Sequence, residues 1–205
     1  MKPDETEVML INLPLLTLLL VVAGILWWRG LWTSAVSFLA VLAAGTAAGA
    51  WFETLAGWLD LQMPDYHHFL DFIAFWSIFS GLAGLLFAVT LGLNSRSRVR
   101  FPRLVERIGA GLLAIMSGWM IVEVVAFSIH LAPLRVAAVP MPPDASIMWG
   151  LSPDRCWLSW TRGSTANGPF AVRDRRFDPD EDFIERYADR RKILASEQTI
   201  FSPGR

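Results

Sequence analysis

The stretch RSRVRFPRLVERIGAGLLAIMSGWMIVEVVAFSIHL, residues 96–131, decides the fold. It joins five arginines, Arg96, Arg98, Arg100, Arg103 and Arg107, to an apolar run, Ile108–Leu131, long enough to cross a bilayer as one helix. Pro102 interrupts any helix that arrives from upstream. A single carboxyl group, Glu123, stands about two turns from the end of the run. A basic run beside a span sets the orientation of the chain, and an ionisable group inside a span is the first place to look for chemistry.

Upstream of this stretch lie three more apolar runs. Val8–Trp28 and Leu31–Phe52 each end in an aromatic pair, Trp27-Trp28 and Trp51-Phe52, as suits a membrane interface. Only Arg29 and Gly30 separate them, which predicts a tight antiparallel hairpin or one bent helix. The third span is Phe69–Leu93 and the fourth Ile108–Leu131. The expected fold class is therefore an all-α membrane protein with four transmembrane helices and a short, partly helical C-terminal tail. The opening residues are net acidic and no small-residue cleavage site follows the first run, so that run reads as a retained span.

Basic loops stay in the cytoplasm. Arg29 and the five arginines of the third connection lie on one side, against Lys2 and Arg135 on the other. This count predicts a four-span membrane protein with both termini on the non-cytoplasmic side. The basic loop, Arg96 to Arg107, reads as a topology signal in contact with anionic lipid.

Composition agrees with a membrane protein. The 205 residues are 54% hydrophobic and 18% charged, with a mean hydropathy of +0.42. The apolar excess falls almost wholly before Leu131. A net charge of −1 supplies no general attraction for nucleic acid. The single cysteine, Cys156, excludes an internal disulfide and a cysteine-based zinc cluster.

Several spans carry small residues at fourfold spacing, the pattern that lets helix backbones approach in lipid. Ala40, Ala44 and Ala48 stand beside Gly45-x-x-x-Gly49; Gly81 and Gly84 belong to a ladder in the third span; Ala110, Ala114 and Gly118 mark the fourth. The last set lies on the side opposite Glu123, so the fourth helix needs protein on two faces, either at the centre of the bundle or at an oligomer interface. Residues 53–68 read as an acidic loop with Glu53, Asp60 and Asp65.

After the fourth span, residues 132–150 form a Pro-rich linker and 151–205 a polar tail. Ser152-Pro153-Asp154 predicts a capped helix start, with Trp157 and Trp160 following. A second start falls at Asp178–Asp182, with Phe183, Ile184, Tyr187 and Leu194 on one face. So small a tail is expected to pack on the membrane part or on a partner.

Glu123 shares its face with Met116, Trp119, Phe127 and His130. It reads either as a protonated carboxyl hydrogen-bonded between helices or as an intramembrane proton or ion site. The histidines gather toward one side: His67 and His68 before the third span, His130 at the end of the fourth. A cluster of His67, Asp71 and His130, reached by Glu123, would suit a pH sensor or a divalent metal. Interfacial histidines need no ligand, and neither a metal nor a cofactor is expected. No Gly-rich phosphate loop, His-Glu-x-x-His or Gly-x-Ser-x-Gly is present, and residues 178–182 lack the glycine and final glutamate of a calcium loop.

The layout resembles the colicin V production (CvpA) family of bacterial inner-membrane proteins. Three motifs carry the likeness: Trp28-Arg29-Gly30-Leu31 ahead of a small-residue span, Phe69-Leu70-Asp71-Phe72-Ile73-Ala74-Phe75, and Leu104-Val105-Glu106-Arg107-Ile108-Gly109-Ala110-Gly111. The family more often has Asp-Arg at Glu106-Arg107, and often an Arg-Gly pair where Ser117-Gly118 stands here. The resemblance implies a role in colicin V production or secretion and in envelope physiology, without enzymatic activity. The expected function is that of a structural or assembly factor; the alternative is a small channel or proton-coupled transporter using Glu123. The partners expected are the lipid bilayer, further copies of the chain and other inner-membrane proteins, with no nucleic acid.

Overall fold

The computed structural model describes residues 5–94, 102–133, 147–167 and 177–200. Every long regular element among them is helical: α1 Glu5–Arg29, α2 Leu31–Gln62, α3 His67–Asn94, α4 Arg103–Leu131, α5 Pro153–Asn167 and α6 Phe183–Ile200. Four of these, α1 to α4, are long and apolar enough to cross a membrane. Arg96, Arg98 and Arg100, and most of the Pro-rich linker, lie outside the described residues.

Two tryptophans give α2 a scale. Trp32 and Trp51 are both exposed, and nineteen helical steps of 1.5 Å separate them by roughly 28 Å, close to the ~30 Å hydrocarbon core of a bilayer. The helix does not stop there. It runs on through the segment expected to be an acidic loop and ends at Gln62. No proline interrupts residues 53–62, and Leu55, Ala56 and Leu59 pack into the main hydrophobic cluster, so burial favours continuing the helix. Pro64 then ends it, since the residue before a proline avoids helical geometry, and a short 3-10 turn, Pro64–Tyr66, leads into α3.

α2 and α4 form the centre. α1 packs along α4 and α3 along α2, and α4 also meets α5. Small residues set these approaches. A side chain added at Gly118 would lie 3.0 Å from the Leu19 side chain and 3.1 Å from the Leu19 carbonyl oxygen of α1. Ser117 Oγ donates to the Ser34 carbonyl of α2 at 3.3 Å, and Ala110 and Ala114 are buried. The side of α4 opposite Glu123 thus lies against α1 and α2. By contrast, added side chains at Gly81 and Gly84 would meet open space, so at these two positions α3 faces no helix among the described residues.

The sharp bend between α1 and α2 has its own device. Gly30 adopts φ 92, ψ 172, a region essentially reserved for glycine. The Glu106 carboxylate accepts the Leu31 N–H at 2.9 Å, placing negative charge at the positive end of α2. Two of the motifs quoted above therefore touch.

At the Trp51 end, Phe52 of α2, Phe75 of α3 and Phe127 of α4 form an aromatic cluster, which Phe177 and Phe183 of the tail complete. Phe127 and Phe183 are stacked at 5.0 Å. The tail is thus part of the same core as the spans.

Candidate functional site

α5 occupies the groove that the α2 glycines make. Trp157 is fully buried, and a side chain added at Gly45 would lie 2.5 Å from its ring; one added at Gly49 would lie 2.7 Å from Thr161. Trp160 Nε1 donates to Thr46 Oγ1 at 2.9 Å. The Gly45-x-x-x-Gly49 pattern accepts a helix, as its chemistry predicts, and the helix it accepts is a short amphipathic one from the tail. By helix rise, Gly45 lies roughly 9 Å below the level of Trp51, so α5 is set into the bundle and does not merely rest on its end. The segment leading into α5 is pinned as well. Met148 N–H donates to Asn12 Oδ1 at 2.8 Å, and Ile147 and Met148 are buried against Leu15, Val122 and Ala126.

This docking covers the C-terminal half of the α4 face that bears Glu123. His130 Nε2 and Asp154 Oδ2 stand 3.0 Å apart, and each side chain is only 4% exposed. The other polar atoms, His130 Nδ1 and Asp154 Oδ1, and the nearby Trp157 Nε1, are buried without a hydrogen-bond partner. Glu123 is half-buried and takes a hydrogen bond from the Trp119 side chain. Cys156 is exposed, and its thiol is pushed above the ordinary range by partial desolvation and then by the charges of Glu123 and Asp154. A thiolate is correspondingly scarce there.

A second polar locus lies on the part of α2 that projects beyond Trp51. An open cleft of about 290 Å³ is lined by Glu53, Asp60, His67, Asp71, Arg186, Tyr187 and Arg190, among others. Here α6 meets the α2–α3 hairpin. Arg190 is paired with Asp71, which also accepts from Tyr187 Oη at 3.0 Å. Arg190 Nη2 further reaches both His67 Nε2 and the His67 carbonyl at 3.1 Å, while His67 Nδ1 faces Asp60 Oδ1 at 3.0 Å. Burial, then the charge of Asp71 and the hydrogen bond to it, pushes the Tyr187 hydroxyl far above its ordinary range. Arg186 stands 3.6 Å from Glu53 and from Asp178.

The start of α6 is built around Asp178. Its side chain is fully buried, accepts the Phe183 N–H at 3.1 Å and pairs with Arg162 of α5. One carboxylate thereby caps α6 and ties it to α5.

The expected cluster of His67, Asp71 and His130 is therefore divided. His67 and Asp71 share the α2–α3–α6 cleft, whereas His130 belongs to the α4–α5 junction, with Asp154 as its partner. The cause is the tail, which supplies a separate partner to each. Among the described residues no group of three or more His, Cys, Asp or Glu side chains could hold a metal ion. Arg103 and Arg107 are exposed at the start of α4. Asp154, Tyr187 and Arg190 were not distinguishable as site residues from sequence. The usable signal was the pair Arg186 and Arg190, one turn apart beside Tyr187 on the apolar face of α6.

A family model described as colicin V production protein matches residues 11–151, more than half of the chain. No curated protein matches, and no solved structure matches. The match stops two residues before α5, so both tail helices lie beyond it.

Proposed function

Since the chain belongs to the colicin V production protein family, we propose that it is a multi-pass protein of the bacterial inner membrane that supports colicin V production or secretion, or envelope homeostasis, as a non-enzymatic structural or assembly factor. In this reading both termini face away from the cytoplasm, and the Trp51 end of the bundle is its outer end. The arginine distribution supports that orientation. The observation that carries the role is the core itself. Phe52, Phe75, Phe127, Phe183 and Trp157 fill the space between the spans, and the tail is tied across their outer end. Such a body suits holding other membrane components in place. Its lipid-facing helices α1 and α3 offer Leu20, Val21, Ile25, Ile73, Leu85 and Val89 to the bilayer or to partner helices.

The test is complementation. In cells that secrete colicin V and lack their own copy, the intact chain restores secretion, whereas Gly45→Leu, which displaces α5, does not. Normal secretion in the uncomplemented strain would remove the proposed role. Reporters fused at the arginine loop and after α6 test the orientation, with a periplasmic signal from the loop as the contrary result.

A second reading, a proton-conducting or proton-coupled protein, draws on Glu123 in a span beside the buried His130–Asp154 pair. It requires that Glu123→Gln abolish a proton flux measured in proteoliposomes. Equal flux from the two proteins would end that reading.

A further inference from the structure

The hydrogen bonds around His67 assign its protonation state. A guanidinium has only N–H groups to offer, so where Arg190 Nη2 lies 3.1 Å from His67 Nε2 the arginine donates and the ring nitrogen accepts. The Nε2 atom then carries no proton, and Nδ1 carries the one donated to Asp60. This is the neutral imidazole, held in one tautomer between an element of the membrane bundle and an element of the tail.

A second proton on His67 would go to Nε2. It would face the Arg190 N–H groups at hydrogen-bond distance, two donors and two positive charges with no acceptor between them. That contact cannot survive. Among the described residues, the other charged and titratable groups around the ring are Glu53 and Asp60 from α2, His68 and Asp71 from α3, and Arg186, Arg190 and Tyr187 from α6. Asp60 keeps its bond to Nδ1 in either state. Asp71 already has Arg190 and Tyr187 as partners. The incoming charge therefore acts chiefly on the Arg190–Nε2 contact, one of the two that link His67 to α6.

We propose that His67 is a proton-operated latch for the C-terminal tail, closed when the imidazole is neutral and opened when it is charged. Open, α6 loses one of its ties to the α2–α3 hairpin and is repelled at another, so the cleft at the outer end of the bundle widens. With the outer end oriented as proposed above, the latch responds to the medium and not to the cytoplasm.

The experiment measures hydrogen exchange of the amides of residues 183–194 in the full chain, in lipid nanodiscs, at pH 7.5 and 5.5, as protection factors corrected for the intrinsic pH dependence of exchange. In the unmodified chain, protection of α6 falls roughly fivefold at pH 5.5, the scale of one ordinary hydrogen bond. His67→Gln offers an acceptor to Arg190 and a donor to Asp60 but takes up no proton, so its protection is the same at both pH values. His67→Lys is charged at both and gives the lower protection at both. Amides in the middle of α4, unchanged throughout, show that the variants are folded. Flat protection in the unmodified chain would overturn the latch. So would a pH response that persists in His67→Gln, since it would come from another group: Glu53, whose carboxyl pKa is raised by burial and which faces Arg186, or His68 or His130, the other two histidines of the chain.

Discussion

Gly45→Ala tests whether a tail helix is packed inside the membrane bundle. In an exposed helix, replacing glycine by alanine stabilises by about 1 kcal/mol through backbone entropy alone. At Gly45 the new methyl would lie 2.5 and 2.8 Å from two ring atoms of Trp157 and 3.1 Å from Val124. The ring is fully buried and must move by about an ångström. Overpacking of this kind costs typically 1–3 kcal/mol, so the two effects oppose and the packing term wins. The net loss, up to about 2 kcal/mol, corresponds to a Tm lower by up to roughly 8 °C for a chain of this size. Gly57→Ala is the matched control: it lies on the same helix with nothing within 4 Å of the added atom, and it should raise Tm by a few degrees. The decisive measurement is a double-mutant cycle in detergent. Trp157→Phe makes room for the methyl, so in that background Gly45→Ala costs at least 1 kcal/mol less than in the parent chain. Additive losses would refute the docking of α5 in the glycine groove, as would a stabilising Gly45→Ala.

Three further outcomes follow from the same contacts. Gly30→Ala forces a side chain into a conformation reserved for glycine and brings its Cβ 2.7 Å from the Glu106 carboxylate, a loss of about 2–3 kcal/mol; Glu106→Ala alone loses about 1–2 kcal/mol, and thermal unfolding of the double variant should show less than the sum. Tyr187 bears on alkaline stability. Its folded-state pKa is raised, so its contribution is complete below the ordinary phenol value near 10 and drains away as the pH rises above it, at up to about 1.4 kcal/mol per pH unit; in Tyr187→Phe, tail protection measured between pH 9 and 11 should lose that dependence. Asp178→Ala leaves Arg162 without its buried partner and α6 without its cap, which should cost about 3–5 kcal/mol and release α6 in exchange measurements while α1 to α4 stay protected. An unchanged α6 in that variant would contradict the assigned role of Asp178.

Much of the architecture follows from composition along the chain. Four apolar runs of bilayer length, aromatic pairs at the ends of the first two, and a basic connection require helices that satisfy their own backbone groups in lipid, and that requirement acts on each segment separately. The places where helices come close were legible for the same local reason, since small residues at fourfold spacing make a groove whatever fills it. The identity of the filler was not legible. Nothing in Gly45 and Gly49 distinguishes a neighbouring span from a tail helix more than a hundred residues away, and at Gly81 and Gly84 a similar small-residue pair meets no helix among the described residues. Loop and helix at residues 53–62 differed only through burial of Leu55, Ala56 and Leu59 against aromatic side chains contributed by other elements.

The polar residues divide along the same line. The stretch from Arg96 to Leu131 determined by itself that the chain enters a membrane, and that Glu123 and the small residues of its helix lie on opposite faces, because both depend on sequence spacing within one helix. Only the tertiary structure decided the pairings: His130 with Asp154, Asp71 with Arg190 and Tyr187, Glu106 with the start of α2. Each joins elements far apart in sequence, and a charged side chain takes as partner whichever opposite charge the packing of large apolar residues, Trp157 and Phe183 foremost, brings within about 3 Å.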